Sequence, residues 1–138
     1  MANEQYKSVL QLERLSFEEI SYSRKTDVAI SNIEYEMNFT RQIGTSEDQK
    51  HFRVSLTANV WSKADDAIKL KVTLVGYFMC ECDNADLKNQ LFAYNTISIL
   101  FPYIRSQISL VTTQPDLPPV TLPPINIVSL FQETEQQE

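Results

Sequence analysis

A chain of 138 residues is long enough for one domain with a hydrophobic core and too short for two. Hydrophobic residues make up 43% and charged residues 22% of it, which excludes disorder along most of the length. The 12 basic residues are outnumbered by 18 acidic ones and form no cluster, which disfavours nucleic acid and anionic membranes as partners. With two glycines and one histidine, the chain lacks a phosphate-binding loop and offers little for acid–base chemistry. We therefore expect a protein that is not an enzyme, with no catalytic residues, metal or cofactor.

The cellular compartment is predicted from three features that the sequence lacks: a membrane span, a signal peptide and a disulfide framework. No apolar run approaches the roughly 20 residues that a membrane span requires. The N-terminal residues MANEQYKSVLQLER lack the basic start and apolar stretch of a signal peptide. Two cysteines cannot build a disulfide framework. These features favour a cytoplasmic protein.

The first predicted element is one long, bent strand over residues 6–23. Its apolar residues change phase twice: Leu10 and Leu12 share one phase, Leu15 and Phe17 the other, and Ile20 and Tyr22 return to the first. Because a one-residue slip moves every side chain to the other face of a sheet, two changes of phase predict two bulges or bends.

Three further strands are predicted by strict alternation of apolar and polar residues over 33–40, 51–60 and 68–82. The connections 41–49 and 62–67 have the composition of turns, so antiparallel hairpins follow. The outer face of the last strand becomes apolar at Val75, Tyr77 and Met79. Such a surface requires a covering layer, which is either a helix of the same chain or a partner subunit.

A helix is predicted over residues 86–111, where apolar residues recur every three or four positions. Pro102 interrupts it and predicts either a kink near 98–102 or a new helix start with Ser98 near the cap. Five of the six prolines follow between Pro115 and Pro124, and they exclude both a helix and a central strand there. We expect this loop to lie against the protein as an extended wall. A short helix then begins at Asn126, and the acidic tail 133–138 is expected to fray.

Three small features of the sequence are candidate sites. Cys80 and Cys82 lie on one face of a strand but lack the further ligands that zinc requires, so two reduced thiols are the simpler interpretation. The adjacent Asp65 and Asp66 fit a solvated hairpin turn better than a catalytic pair. Trp61 falls on the polar side of its strand, which is a modest indication of a binding contact.

Residues 95–131 resemble the C-terminal half of SecB, the bacterial protein-export chaperone. The features that carry the resemblance are ILFPYIR within the long helix, its distance from the proline-rich loop, and the closing pattern LPPINIVSLF. Upstream, LVGYFMC at 74–80 resembles the end of the last strand of the family, and LQLERLSFEEISY at 10–22 fits its bent first strand.

The resemblance implies one α+β domain over 1–138, with a four-stranded antiparallel sheet at about 6–82 and a helical part at about 85–132. The helical part would contain a long kinked helix, a proline-rich loop and a short C-terminal helix. SecB-like protomers form homotetramers as dimers of dimers that pack through their long helices. We therefore predict an oligomer interface at Val75, Tyr77, Met79, Phe101, Ile104 and Ile108.

The function implied is that of an ATP-independent chaperone, or holdase, which binds unfolded polypeptides in apolar grooves, including for export. The groove residues would come from the crossing between the first two strands, the proline-rich loop and the terminal helix. They are Ile30, Ile33, Leu117, Val120, Leu122, Ile125, Ile127, Leu130 and Phe131.

The sequence departs from the family where the motor protein SecA binds. Glu19 keeps an acidic residue on the sheet face that SecA contacts, but Lys71 and Ser23 stand where acidic residues are expected. These departures count against SecA as a partner and leave polypeptide binding open. The alternative is a SecB-like protein dedicated to one partner, such as an antitoxin, without coupling to SecA.

Overall fold

The computed structural model describes residues 10–28, 33–64, 66–123, 126–127 and 129–131. Four long strands come first in the chain and are followed by a helical region, as in the predicted α+β order. The strands are β1 (Leu10–Arg24), β2 (Tyr35–Thr45), β3 (His51–Ser62) and β4 (Ile68–Cys80). The helical region consists of α1 (Ala85–Gln90), a π-helical segment (Leu91–Asn95) and α2 (Thr96–Val111).

The four strands form one antiparallel sheet in the order β1-β4-β3-β2. The pairing of β1 with β4 shifts register twice, between Leu12 and Arg14 and between Phe17 and Glu19. The two predicted bulges are thereby confirmed. They keep the apolar residues of β1 opposite the buried residues of β4, as in the pairs Phe17–Leu74 and Tyr22–Leu70.

The predicted turn at 41–49 is only partly confirmed, because β2 continues to Thr45. Ile43 pairs with Val54 and Gly44 pairs with Arg53, so the alternation of β2 simply extends through residues with a turn-like composition. The chain reverses only after Thr45, where the amide of Ser46 donates to the His51 carbonyl at 2.9 Å. The predicted turn at 62–67 does join β3 to β4.

The helical region is continuous from Ala85 to Val111, and its irregularity is the π-helical segment rather than a break. Asn84 caps α1 by accepting a hydrogen bond from the Leu87 amide at 3.1 Å. The alternative of a new helix start at Ser98 is wrong, since Ser98 lies inside α2 and its hydroxyl donates to the Tyr94 carbonyl. Pro102 also lies within α2.

The core lies between one face of the sheet and α2. Alternate residues of β3 and β4 point into it, and α2 contributes a stripe that includes Ile97, Leu100, Ile104 and Ile108, all fully buried. The other face of the sheet, called here the outer face, carries the polar residues of β3. Gly76 lies directly beneath α2, where a Cβ atom would be 2.8 Å from Leu100 Cδ2.

The chain after α2 returns to cover this core. The predicted wall is confirmed in that Leu117, Val120 and Leu122 are buried although the segment has no regular secondary structure. The predicted cap at Asn126 is confirmed as well, because its side chain accepts from the Ser129 amide at 3.2 Å and residues 129–131 are helical.

Candidate binding site

The predicted groove residues mostly close the core instead of lining an open groove. Ile33 is half-buried and Leu130 is 38% exposed, while Ile30 and Ile125 lie outside the described residues. The remaining five are at most 8% exposed, because their side chains pack inward; they are Leu117, Val120, Leu122, Ile127 and Phe131. In this structure the segment therefore acts as a cover over the sheet.

Hydrogen bonds from the end of α2 hold this cover in place. The buried hydroxyl of Thr112 accepts from the Val120 amide at 2.7 Å and donates to the Ile108 carbonyl at 2.7 Å. The hydroxyl of Ser109 donates to the Val120 carbonyl at 3.0 Å. Both backbone polar groups of Val120 are thus satisfied, which allows an irregular segment to be buried.

An ion pair ties the same segment to β1. Arg24 donates to both carboxylate oxygens of Asp116, at 2.6 and 2.8 Å. These hydrogen bonds from the guanidinium lower the pKa of Asp116 below its ordinary value. A carboxylate with a lowered folded-state pKa stabilises the fold above its unfolded pKa, and that contribution is lost as the pH falls through the folded value.

We predict that Asp116→Asn removes a contribution that depends on pH. At pH 7 the variant should be less stable than wild type, and the two should converge as the pH falls below about 4, the ordinary range of an aspartate. Urea unfolding between about pH 3 and about pH 7 measures the difference in the free energy of unfolding between the two proteins. Two stability curves that stay parallel over this interval would contradict the assignment.

The predicted interface residues on the helix do not offer a surface to a second copy. Phe101 is 5% exposed and Ile104 and Ile108 are fully buried, because they face the sheet of their own chain. The exposed apolar residues of α2 lie elsewhere, at Ile99, Tyr103 and Leu110.

The apolar part of the outer face is not covered by a helix of the same chain within the described residues. Val75 is nevertheless buried, and the Arg14 guanidinium lies 4.3 Å from the centre of the Tyr77 ring. Arg53 and Arg14 also lower the pKa of Tyr77, since both stabilise its phenolate form. Of the three predicted residues here, Tyr77 and Met79 remain partly accessible.

The open cavity that sequence reasoning missed is a cleft of about 780 Å³ between the end of β2 and α1. Its floor is aromatic, with the rings of Phe52 and Phe92 stacked at 3.4 Å between centroids. Ile43 is 42% exposed at its side. Lys88 closes one end by donating to the Gln49 carbonyl at 2.6 Å. The cleft thus combines an apolar floor with a polar rim.

The cleft adjoins β2, an edge strand of the sheet among the described residues. Arg41 on β2 connects it to the C-terminal cover: it donates to the Ala93 carbonyl, and its guanidinium lies 4.8 Å from the centre of the Phe131 ring. The sequence feature that indicates this cleft is the alternation of Arg41, Ile43 and Thr45, which extends β2 along one face of the sheet. The turn-like composition around Gly44 obscures that feature.

The outer face carries the position expected to meet SecA. Glu19 lies there, but its carboxylate is 3.6 Å from the Lys71 ammonium and accepts from the Ser21 hydroxyl at 3.1 Å. Glu18 is paired in the same way with Arg53. Both carboxylates are thus partnered by residues of their own sheet. Trp61 also lies on this face, as predicted, and donates to Glu36 at 3.2 Å.

Other candidate chemistry is sparse in the described part of the chain. Cys80 is buried and Cys82 half-buried, both are free thiols, and burial raises the pKa of Cys80. Residues 10–28, 33–64, 66–123, 126–127 and 129–131 contain no group of three or more metal-ligating side chains. They also contain no helix long and apolar enough to cross a membrane.

A four-stranded antiparallel sheet with one face under a long helix and a proline-rich cover defines an α+β protein of the SecB-like class. A structure with this fold is the Mycobacterium tuberculosis Rv1957 SecB-like chaperone in complex with a ChAD peptide from the Rv1956 HigA1 antitoxin. The likeness has a TM-score of 0.70 at 15% identity and covers 88% of this chain and 91% of that one.

The sequence comparisons establish the family. Residues 3–138 match the model of preprotein translocase subunit SecB. The protein-export protein SecB of Magnetococcus marinus is 32% identical over 132 residues, which are 94% of this chain and 83% of the relative. An uncharacterized protein of Methanocaldococcus jannaschii, MJ0357, is 36% identical over 73 residues, 53% of this chain and 47% of that protein. The chain belongs to the SecB family.

Proposed function

We propose that this protein is a cytoplasmic holdase that binds extended, non-native polypeptides without a cofactor or nucleotide. The observation that carries the proposal is the apolar cleft beside β2, an edge strand of the sheet among the described residues. An edge strand can pair its backbone with an added extended segment, and the cleft accepts an apolar side chain from it. Family membership supports the same function.

The binding mode follows from these two features. An added strand gains backbone hydrogen bonds that do not depend on its sequence, and an apolar residue gains about 25 cal/mol per Å² buried against Phe52 and Phe92. Specificity is therefore loose, as a holdase requires. The net charge of −6 per chain keeps the apolar surface in solution and favours clients that carry basic residues.

The C-terminal cover supplies a second, larger surface in this proposal. The buried residues from Leu117 to Phe131 become accessible to a client if the segment moves away from the sheet. Leu130 is 38% exposed, so a client can contact it without such a movement. The cleft and the cover meet at Arg41, so one client chain can engage both.

We predict that Ile43→Asp reduces suppression of aggregation about tenfold, because it places a charge that must be desolvated at the wall of the cleft. Light scattering of a slowly refolding model protein, titrated with the chaperone, measures this effect. Gln42→Asp is the matched control, since the adjacent side chain points to the outer face of the same strand.

Equal activity of the two variants, with unchanged circular dichroism, would exclude the cleft as the client site. If wild type itself gives no suppression, the holdase function fails. A parallel titration with Leu130→Asp tests the cover separately, and this exposed residue is preferable to Phe131, whose burial would confuse binding with folding.

A second candidate is a protein dedicated to one partner, without coupling to SecA. The specific observation in its favour is the outer face, where Glu19 is paired with Lys71 and Ser23 replaces an expected acidic residue. The Mycobacterium tuberculosis Rv1957 SecB-like chaperone, which has this fold, is in complex with an antitoxin peptide, and this supports the second candidate. A dedicated protein would bind one segment with saturable affinity and leave unrelated unfolded proteins to aggregate.

Assembly into a homotetramer is part of the proposal. The apolar residues that α2 leaves exposed, Ile99, Tyr103 and Leu110, replace Phe101, Ile104 and Ile108 as the proposed helix contacts. Light scattering coupled to size exclusion gives the mass, and Leu110→Asp should lower it if these contacts hold the assembly together.

A further inference from the structure

We infer that Arg41 selects among clients, because the face of its guanidinium accepts an aromatic side chain that enters beside the cleft. The inference rests on the proposed holdase function and deepens it by naming the class of client residue. The position, called here the Arg41 site, is formed by Arg41 of β2, by Ala93 and Tyr94 of the π-helical segment, and by Phe131 after α2.

The π-helical segment fixes the guanidinium. Arg41 donates to the Ala93 carbonyl, and its guanidinium lies 5.6 Å from the centre of the Tyr94 ring. The adjacent Phe92 carbonyl accepts from the Thr96 hydroxyl at 2.6 Å, so side chains bind two successive carbonyls of this segment. A hydrogen bond uses the plane of a guanidinium and a ring uses its face, so the bond to Ala93 leaves the faces of Arg41 to aromatic groups.

Phe131 shows which chemistry the Arg41 site takes. The centre of its ring lies 4.8 Å from the guanidinium, within the range of a cation–π contact. This ring belongs to the cover, and the hydrogen bonds described above that hold the cover lie earlier in the chain, at Asp116 and Val120. Phe131 is therefore an internal substitute for a client ring, which takes its place when the cover moves.

The distance between the Arg41 site and the cleft sets the spacing within the client. Arg41 and Ile43 are alternate residues of β2 on one face of the sheet, so they lie about 7 Å apart. Alternate residues of an extended segment paired with β2 repeat at the same distance. Such a client places an aliphatic residue in the cleft, against Phe52 and Phe92, and an aromatic residue two positions away on Arg41.

The test compares two labelled peptides of similar shape. Each has one leucine with a probe residue two positions away on either side, so that both strand directions are covered. The probe residue is phenylalanine in one peptide and cyclohexylalanine in the other. Cyclohexylalanine is the more apolar side chain but has no π-system, so burial alone favours it and a cation–π contact favours phenylalanine. Fluorescence anisotropy should show that wild type binds the phenylalanine peptide about fivefold more tightly.

Variants locate this preference in the chain. Arg41→Met removes the charge and keeps a long side chain, so it should abolish the preference, whereas Arg41→Lys should retain part of it. Arg53→Met is the matched control, because it makes the same change on the outer face, where Arg53 is paired with Glu18. It should leave the preference unchanged.

Phe131→Leu tests the internal substitute and keeps an apolar side chain at this buried position. Binding of both peptides should tighten about threefold, since no ring has to leave Arg41. This gain should shrink when the change is combined with Arg41→Met. An equal gain in both backgrounds would mean that Phe131 does not occupy the site of the client ring. Circular dichroism checks the fold of each variant.

Equal binding of the two peptides by wild type, or tighter binding of the cyclohexylalanine peptide, would overturn the inference. Loss of the preference in Arg53→Met as well as in Arg41→Met would do the same. Tighter binding of a third peptide, with glutamate as the probe residue, would also overturn it and indicate that Arg41 pairs with a client carboxylate. Suppressed aggregation without a preference between the peptides would refute the Arg41 site alone. Wild type that neither binds the peptides nor suppresses aggregation would refute the holdase function and the Arg41 site together.

Discussion

Replacing Gly76 by alanine is expected to destabilise the protein by about 1–3 kcal/mol, the usual cost of forcing a methyl group into a packed core. The position lies in the middle of β4, where α2 crosses the sheet. A Cβ atom there would be 2.7 Å from Phe78 Cε2 and 2.8 Å from Leu100 Cδ2, closer than real Cβ contacts allow. Either α2 must move away from the sheet or both side chains must leave their positions.

Urea unfolding followed by circular dichroism measures the effect, and Gly44→Ala is its control. A Cβ atom at Gly44 meets nothing closer than the Arg53 carbonyl oxygen at 3.9 Å. We expect a change within about 0.5 kcal/mol for that variant. The two substitutions are chemically identical, so a difference between them reports the crowding of the Gly76 position by Phe78 and Leu100.

A second substitution identifies which contact is responsible. Leu100→Ala alone should cost about 2–5 kcal/mol, because the side chain is fully buried. Combined with Gly76→Ala it should cost less than the sum, since the shortened side chain makes room for the new methyl group. Strict additivity in this double-mutant cycle would mean that the strain lies against Phe78 and not against α2.

Thr112→Val is expected to lower the free energy of unfolding by about 1–3 kcal/mol, because it leaves a buried donor without a partner. The substitution keeps the shape of the side chain and removes only the hydroxyl. That hydroxyl is the acceptor for the Val120 amide and a donor to the Ile108 carbonyl, both at 2.7 Å. Without this hydroxyl, the amide of Val120 stays buried and has lost its hydrogen-bond acceptor.

Thr113→Val is the matched control, since its hydroxyl also donates to a helix carbonyl, that of Ser109 at 2.7 Å, but at the exposed surface. Water replaces that bond, so we expect a change within about 0.5 kcal/mol. Thr112→Ser should recover most of the loss, because it restores both hydrogen bonds. Equal effects of the variants at 112 and 113 would show that the buried link to the cover does not contribute to stability.

Proteolysis adds a readout that a simple loss of stability would not produce. If Thr112 holds the cover, limited proteolysis of Thr112→Val under native conditions should cut first within the proline-rich segment, well before global unfolding. Cleavage distributed over the whole chain would instead indicate that the entire fold has been weakened.

Patterns within single elements predicted most of the fold. The two changes of phase in β1 are a local property of the sequence, and each appears as a register shift against β4. The period of β3 and β4 and the apolar stripe of α2 likewise follow from which side chains must leave water. The prediction of a turn at 41–49 is only partly right, because the apolar–polar alternation of β2 continues through Ile43 despite the turn-like composition of this segment.

The candidate site was less predictable, because a sequence shows that a residue is apolar but not which way it faces. Phe101, Ile104 and Ile108 have the pattern of a contact stripe, and the same pattern serves equally well against the chain's own sheet. Leu117, Val120 and Leu122 could line a groove or close it from their sequence pattern, and in the structure they are buried, with the backbone of Val120 hydrogen-bonded to Thr112 and Ser109.

The class of the protein, the order of its elements, the bulged first strand and the resemblance to the SecB family all follow from the amino-acid sequence. Those properties are set by residues close together in the chain. Which apolar surface remains open depends on three-dimensional packing, since the cleft joins Ile43 to Phe92. A binding surface is made of what packing leaves uncovered, and packing depends on contacts between residues that are far apart in the chain.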